Sequence, residues 1–167
     1  MRKRTTLLLP LVLSACAPTL TAPNASGADG LFLQAVTGNN LFEIQSSRVA
    51  LSTSTTPAVR SYAQMLLDDH LAAQNQVAAL ALTRGVPLPK ALPPELQLKV
   101  VTLSGLNSAA FDAAYLHEQV LAHQLTLSLI QNERTAGRDP SVTAFAERQA
   151  PVIQGHLQRA RTLLGTP

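Results

Sequence analysis

The chain has 167 residues, 46% of them hydrophobic and 14% charged, with a formal net charge of +3. Arg2, Lys3 and Arg4 supply that whole excess, and from Cys16 onward basic and acidic residues balance. With no basic stripe and no aromatic platform, nucleic acid is excluded as a partner, and the single cysteine, Cys16, excludes a disulfide within the chain, so one core must stand on packing alone.

Met1 to Cys16 reads MRKRTTLLLPLVLSAC: basic residues, an apolar run, then small residues, the pattern of a secretory signal. The apolar run is shorter than the roughly 20 residues needed to cross a bilayer. Leu13-Ser14-Ala15-Cys16 resembles the lipobox of bacterial lipoproteins. That resemblance implies a signal peptide over residues 1–15, cleavage before Cys16, and lipidation of Cys16 with fatty acids such as palmitate. The alternative is an ordinary secretory signal whose cysteine is incidental. Residues 16–29 are rich in Pro, Ala, Gly and small polar residues and read as a flexible tether. Ala17, in place of aspartate, matches the sorting preference for the outer membrane, with the domain facing the periplasm.

The folded domain is expected over residues 30–164. A first long helix is predicted from about Gly30 to Leu51, with Asp29 as its N-cap and a stripe through Phe32, Val36, Asn39, Glu43, Ser46 or Ser47, and Ala50. A short Ser/Thr link leads to the longest pattern, Thr56 to Gly85. Pro57 suits its first turn and Gly85 its end, and its stripe is Val59, Ala63, Leu66, His70, Ala73, Val77 and Leu80. Prolines then interrupt the chain, and a short helix is predicted over about Glu95 to Leu103. The third long helix runs from Ser108 to Ala136, with Leu116, Val120, His123, Leu127 and Ile130 on its stripe. The fourth runs from Pro140 to Leu164, with Val142, Phe145, Gln149, Val152 or Ile153, His156, Ala160 and Leu163 inward, and Pro151 is expected to kink or split it.

Four long helices with two short links and one long central connection predict an all-α, ferritin-like four-helix bundle with a crossover carrying a short helix. The crossover makes the second and third long helices parallel. An up-down-up-down bundle with a decorated loop is the alternative. At 1.5 Å per residue, Glu43, His70, His123 and His156 then fall near mid-height, one from each helix. As a metal site they would hold one Zn or Fe ion. As a structural feature they would be a satisfied polar network, or histidines half exposed beside the stripe. The Glu-x-x-His pair of di-iron bundles is absent, since Leu67, Val120 and Ile153 precede the three histidines by three. Asp68 and Asp69 cannot both face inward, so one is available to orient a histidine. Asp112 and Tyr115 form a local pair near the start of the third long helix, where Asp112 is expected to brace the crossover at Gly105. His117 is expected on the surface.

No catalytic cysteine remains after lipidation of Cys16, and no phosphate loop or His-Glu-x-x-His occurs. The segments FEIQSS, AVRSYAQMLLDDH, LSGLNSAAFDAAYL, Ala122-His123 and APVIQGHLQRA resemble the bacterial family called domain of unknown function 4142, over about Gly30 to Leu164. The resemblance implies a ferritin-like helical fold and an envelope or outer-membrane setting. It also nominates Glu43, Asp69, His70, Asp112, Tyr115, His123 and His156 without giving them a role. Three functions stay open: a non-enzymatic envelope lipoprotein that binds a partner such as an envelope protein or helps maintain the envelope, a metal-binding or metal-dependent envelope protein in metal handling or oxidative-stress defence, and a binder of a small apolar ligand.

Overall fold

The computed structural model describes residues 24–165; the signal, Cys16 and most of the tether lie outside that range. Five helices follow one another: α1 (Ala28–Thr53), α2 (Pro57–Arg84), α3 (Pro94–Ser104), α4 (Ser108–Ala136) and α5 (Pro140–Leu164). No strand occurs among the described residues, and none of their helices is long and apolar enough to cross a membrane.

Local chemistry sets the helix ends. Pro57, Pro94 and Pro140 each stand in a first turn, where the missing N–H is no loss. Gly85 closes α2 in the left-handed region at φ 64°, its N–H turned back to Ala81 and Leu82 carbonyls. Asp139 caps α5 by accepting from the N–H groups of Ser141 and Val142.

Hydrogen bonds between the ends fix helix direction. Asn24 donates to the Arg84 carbonyl, Asp29 accepts from the N–H groups of Arg138 and Asp139, and Arg84 forms a bidentate pair with Asp139 at 2.7 and 2.8 Å. The start of α1, the end of α2, the end of α4 and the start of α5 therefore gather at one end. At the other end, Thr56 donates to Asp112 and ties the start of α2 to α4. Hence α2 and α4 run parallel, as the long connection predicts, and α3 carries the chain back along α1. Replacing Asp139 with Ala removes a cap and an ion pair together. We expect a loss of about 2 kcal/mol in urea unfolding at neutral pH, roughly half from each.

Four expectations change. Residues 24–29 belong to the domain rather than the tether: α1 begins at Ala28, and Gly30 packs so tightly on the Asn24 carbonyl that a Cβ would stand 2.0 Å from it. Asp29 lies inside the first turn, and its carboxylate caps the α4–α5 link instead of α1. Asp112 braces Thr56, not Gly105, because its side chain turns toward the α1–α2 link. Pro151 does not split α5, which continues through it to Leu164. It sits on the exposed face, where water can satisfy the Glu147 carbonyl that a Pro at this position cannot serve.

The interior has three layers. Near the start of α1, Phe32, Leu33 and Val36 pack with Val77, Ala81, Ile130, Val142, Phe145 and Ile153. At the opposite end, Ala50, Val59, Tyr62, Leu66, Leu103, Phe111, Tyr115 and Ala160 form a second apolar cluster, with Tyr115 stacked on Phe111 at 5.8 Å between centroids. Between them lies a belt of buried polar residues, Asn39, Asn40, Glu43, Ser46, Ser47, His70, Gln119, His123, Thr126 and His156, beside a smaller apolar cluster of Phe42, Leu92, Val100 and Ala122. The middle of α1, TGNNLFEIQSS, supplies half of this belt. Burial of the two apolar layers stabilises the fold, whereas the belt costs desolvation unless each polar atom finds a partner.

Candidate metal centre

His70 from α2, His123 from α4 and His156 from α5 meet in the polar belt, as the register of the helices predicts. Their ring centroids lie 5.3 to 5.6 Å apart. All three are buried, with relative exposures of 3%, 0% and 4%.

One nitrogen of each ring is committed to an acceptor. His70 Nδ1 donates to Asn40 Oδ1 at 2.9 Å, and the Asn40 amide group in turn donates to Gln74, which fixes its orientation. His123 Nδ1 donates to the Gln119 carbonyl at 2.6 Å. His156 Nε2 donates to Asp69 Oδ2 at 3.0 Å. These acceptors set the tautomers, leaving His70 Nε2, His123 Nε2 and His156 Nδ1 without a proton in the neutral rings. Those three nitrogens are buried and have no hydrogen-bond partner. One ligand atom from each residue lies within 4.8 Å of those of the other two, and among the described residues this is the group that can hold a metal ion.

Electrostatics keeps the donors neutral. Burial holds His70 well below the ordinary histidine value, and the neighbouring rings lower it further. Burial lowers His123 to about 3 against the pull of the Gln119 carbonyl. His156 is also lowered by burial, with its Asp69 bond opposing. Three buried lone pairs thus stand close together with no proton among them. A cation at their centre would satisfy all three at once.

The fit to a metal is good. Imidazole ligands normally carry a second hydrogen bond from the far nitrogen to a carbonyl or carboxylate, and all three do so here. Four-coordinate zinc places its nitrogens roughly 3.3 Å apart, given Zn–N bonds of about 2.0–2.1 Å. Side-chain rotations of about an ångström would close the present spacing.

Glu43 stands elsewhere than a fourth ligand would. Its carboxylate lies 3.8 Å from His123 Nδ1, the nitrogen already given to Gln119, so it sits behind His123. The Gln119 amide is satisfied with its nitrogen donating to Glu43 and its oxygen accepting from Ser46. Burial raises the Glu43 carboxyl well above its ordinary value. Tyr115 shares a hydrogen bond with Ser47 at 3.1 Å, and Tyr62 donates to the His156 carbonyl. Both tyrosines and Asp112 therefore position helices around the belt. Asp68 is exposed and bonded to Gln64, leaving Asp69 as the member of the pair that orients a histidine. His117 is exposed, as expected.

Sequence reasoning missed Asn40 and Gln119. Asn40 lies three residues before Glu43 and so shares its side of α1, a spacing that was available as a signal. Gln119 acts on His123 through its backbone carbonyl, which no side-chain pattern can announce.

The model of the family described as "Domain of unknown function (DUF4142)" matches residues 14–163. The chain belongs to this family. No curated protein matches the DUF4142 chain. Among the solved structures that resemble it in fold are two DUF305 proteins. One is a DUF305 fragment from Deinococcus radiodurans, 19% identical, with a TM-score of 0.75 over 83% of this chain and 95% of the other. The second is a DUF305 protein from Streptomyces coelicolor, presumed secreted, 12% identical, with a TM-score of 0.74 over 84% and 92%. At these identities the likeness speaks for an all-helical fold shared by DUF4142 and DUF305 chains.

Proposed function

We propose that this DUF4142 protein binds a single divalent transition-metal ion through His70, His123 and His156 and handles it outside the cytoplasm. The observation that carries the reading is the meeting of three buried, unprotonated and unpartnered imidazole nitrogens, each oriented from behind by its own acceptor. The all-nitrogen donor set suits zinc better than iron, whose common non-haem site adds a carboxylate that Glu43 does not bring forward. Asp69 and Asn40 serve as outer partners that fix two of the rings. The cavity beside the site, lined by Asn40, Thr126, Ile130 and Phe145 among others, holds about 10 Å³, room for roughly one water.

The helix directions fit the ferritin-like arrangement, a four-helix bundle that places ligands from several helices at one height. The Cys16 lipobox and the secreted character ascribed to the Streptomyces relative both fit a lipid-anchored protein of the cell envelope, facing the periplasm from the outer membrane. Protein purified without chelator should carry close to one zinc per chain by elemental analysis, and its thermal midpoint should fall on chelation and recover with Zn²⁺. Absence of bound metal together with no shift on adding Zn²⁺ or Fe²⁺ would refute the reading. For the anchor, Cys16→Ser should move the protein from the membrane fraction to the soluble periplasm and remove the acylated amino terminus from the mass spectrum.

A further inference from the structure

We propose that the seam between α2 and α5 is the port by which the ion enters and leaves, with Asp69 the capturing group at the surface and His156 the side chain that moves. This rests on the metal reading above and adds a route and a gate to it.

Three independent features coincide at that seam. The first is exposure. Of the groups that hold the rings from behind, Asn40 and Gln119 are buried, while the Asp69 side chain is 48% exposed. The carboxylate therefore touches solvent on one side and His156 on the other, and the exposed Asp68 beside it adds a second negative charge. A hydrated cation reaching this point is one imidazole away from the interior.

The second is packing. α5 lies against α4 along most of its length and touches α2 far more sparsely, whereas α1 packs closely on both α2 and α4. His70 is bonded to Asn40 on the closely packed α1 side, whereas His156 bonds to Asp69 across the sparser α2–α5 seam.

The third is the build of α5 just before His156. Pro151 lacks the N–H that would bind the Glu147 carbonyl, and Gly155 has open space where a Cβ would stand. Pro151 weakens the helix more than one turn before His156, and Gly155 weakens the turn that carries the ring. Swinging the His156 ring outward breaks one side-chain hydrogen bond, the one to Asp69, and presents its free nitrogen to the captured ion. The return of the ring delivers that ion to His70 and His123.

The port predicts rates rather than affinities. Chelator-stripped protein would be mixed with Zn²⁺ in a stopped-flow instrument, at two ionic strengths, for the unaltered chain, Asp69→Asn, Pro151→Ala and the control Glu95→Gln on α3. Asp69→Asn should slow uptake about tenfold and remove most of its salt dependence. Pro151→Ala restores a helix hydrogen bond, so it should slow uptake and release by similar factors of several-fold and leave the equilibrium constant within about twofold. Glu95→Gln should change neither. A purely orienting role for Asp69 would act on release and spare uptake. An unchanged uptake rate in either Asp69→Asn or Pro151→Ala overturns the port while leaving the metal site intact. Failure of the unaltered chain to take up Zn²⁺ overturns the metal reading itself.

Discussion

A His123→Leu chain should bind no zinc and yet, stripped of metal, should be more stable than the unaltered protein. The loss of affinity follows from removing one of three donors; we expect at least about 100-fold, more than the loss usually caused by disturbing an outer partner. The gain in stability follows from the apo chemistry. His123 Nε2 is a buried acceptor without a partner, a state that costs about 1–3 kcal/mol. Its other nitrogen bonds the Gln119 carbonyl, which as part of α4 already receives a backbone N–H, so leucine orphans nothing there. Leucine is close in size, and imperfect repacking should return part of the gain, leaving about 1 kcal/mol at pH 8.

The gap should widen in acid. The folded-state pKa of His123 is about 3, below the ordinary value of 6.5, because of burial. Below pH 6.5 the unfolded chain takes up a proton that the folded chain refuses, so the histidine's contribution to stability falls as pH drops toward 3. By pH 5.5 the leucine variant should have gained on the order of a further 1 kcal/mol over the unaltered chain. Urea unfolding in the presence of chelator measures both numbers. A variant less stable than the unaltered protein at every pH would show that the three lone pairs are not an energetic burden, and with it the strongest argument for a bound cation would go.

The residues explain why so much of this could be read from the sequence and where reading stopped. Pro57, Gly85 and Pro140 fix helix ends chemically, so counting residues from them put His70, His123 and His156 at one height, and the rings do meet. Height alone does not say which way a side chain points around its helix. Glu43 and Asn40 lie nearly one turn apart on α1, and the structure assigns Asn40 to His70 while Glu43 goes behind His123. A stripe of about 100° covers both outcomes. Asp69 was legible as one of an adjacent pair of which a single member could orient a ring, but its target, on α5, required the packing. The segment Asn24 to Asp29 has the composition of a linker and behaves as part of the domain. What holds it is a side-chain amide on the Arg84 carbonyl and the tight approach of Gly30, neither of which leaves a periodic trace. Pro151 was expected to kink or split α5. It is exposed, and an exposed proline frees a carbonyl that water can serve.

Glu133 offers the clearest pH-dependent effect away from the histidines. It is 1% exposed near the end of α4, accepts from the Thr143 hydroxyl at 3.3 Å and is hydrogen-bonded to Asp29. Burial, and then the Asp29 carboxylate, raise its pKa from 4.5 to about 7. The sign follows from proton counting. Between pH 4.5 and 7 the folded chain holds a proton that the unfolded chain has lost, so the stabilisation is fully present below about 4.5 and disappears as pH rises through 7. Glu133→Gln supplies a permanent amide donor toward Asp29 and keeps an oxygen for Thr143. The variant should therefore match the unaltered chain at pH 4.5 and exceed it at pH 8. The groove formed with Leu31, Leu129 and Asn132 opens to solvent beside the carboxyl, which screens the charge and limits the expected difference to about 1–2 kcal/mol. Urea unfolding from pH 4.5 to 8 should show the unaltered chain losing ground steadily and the variant holding level with respect to this group. Parallel profiles would mean that Glu133 is already ionised in the folded protein, and that the start of α1 is held to α4 and α5 by the backbone bonds of Asp29 alone.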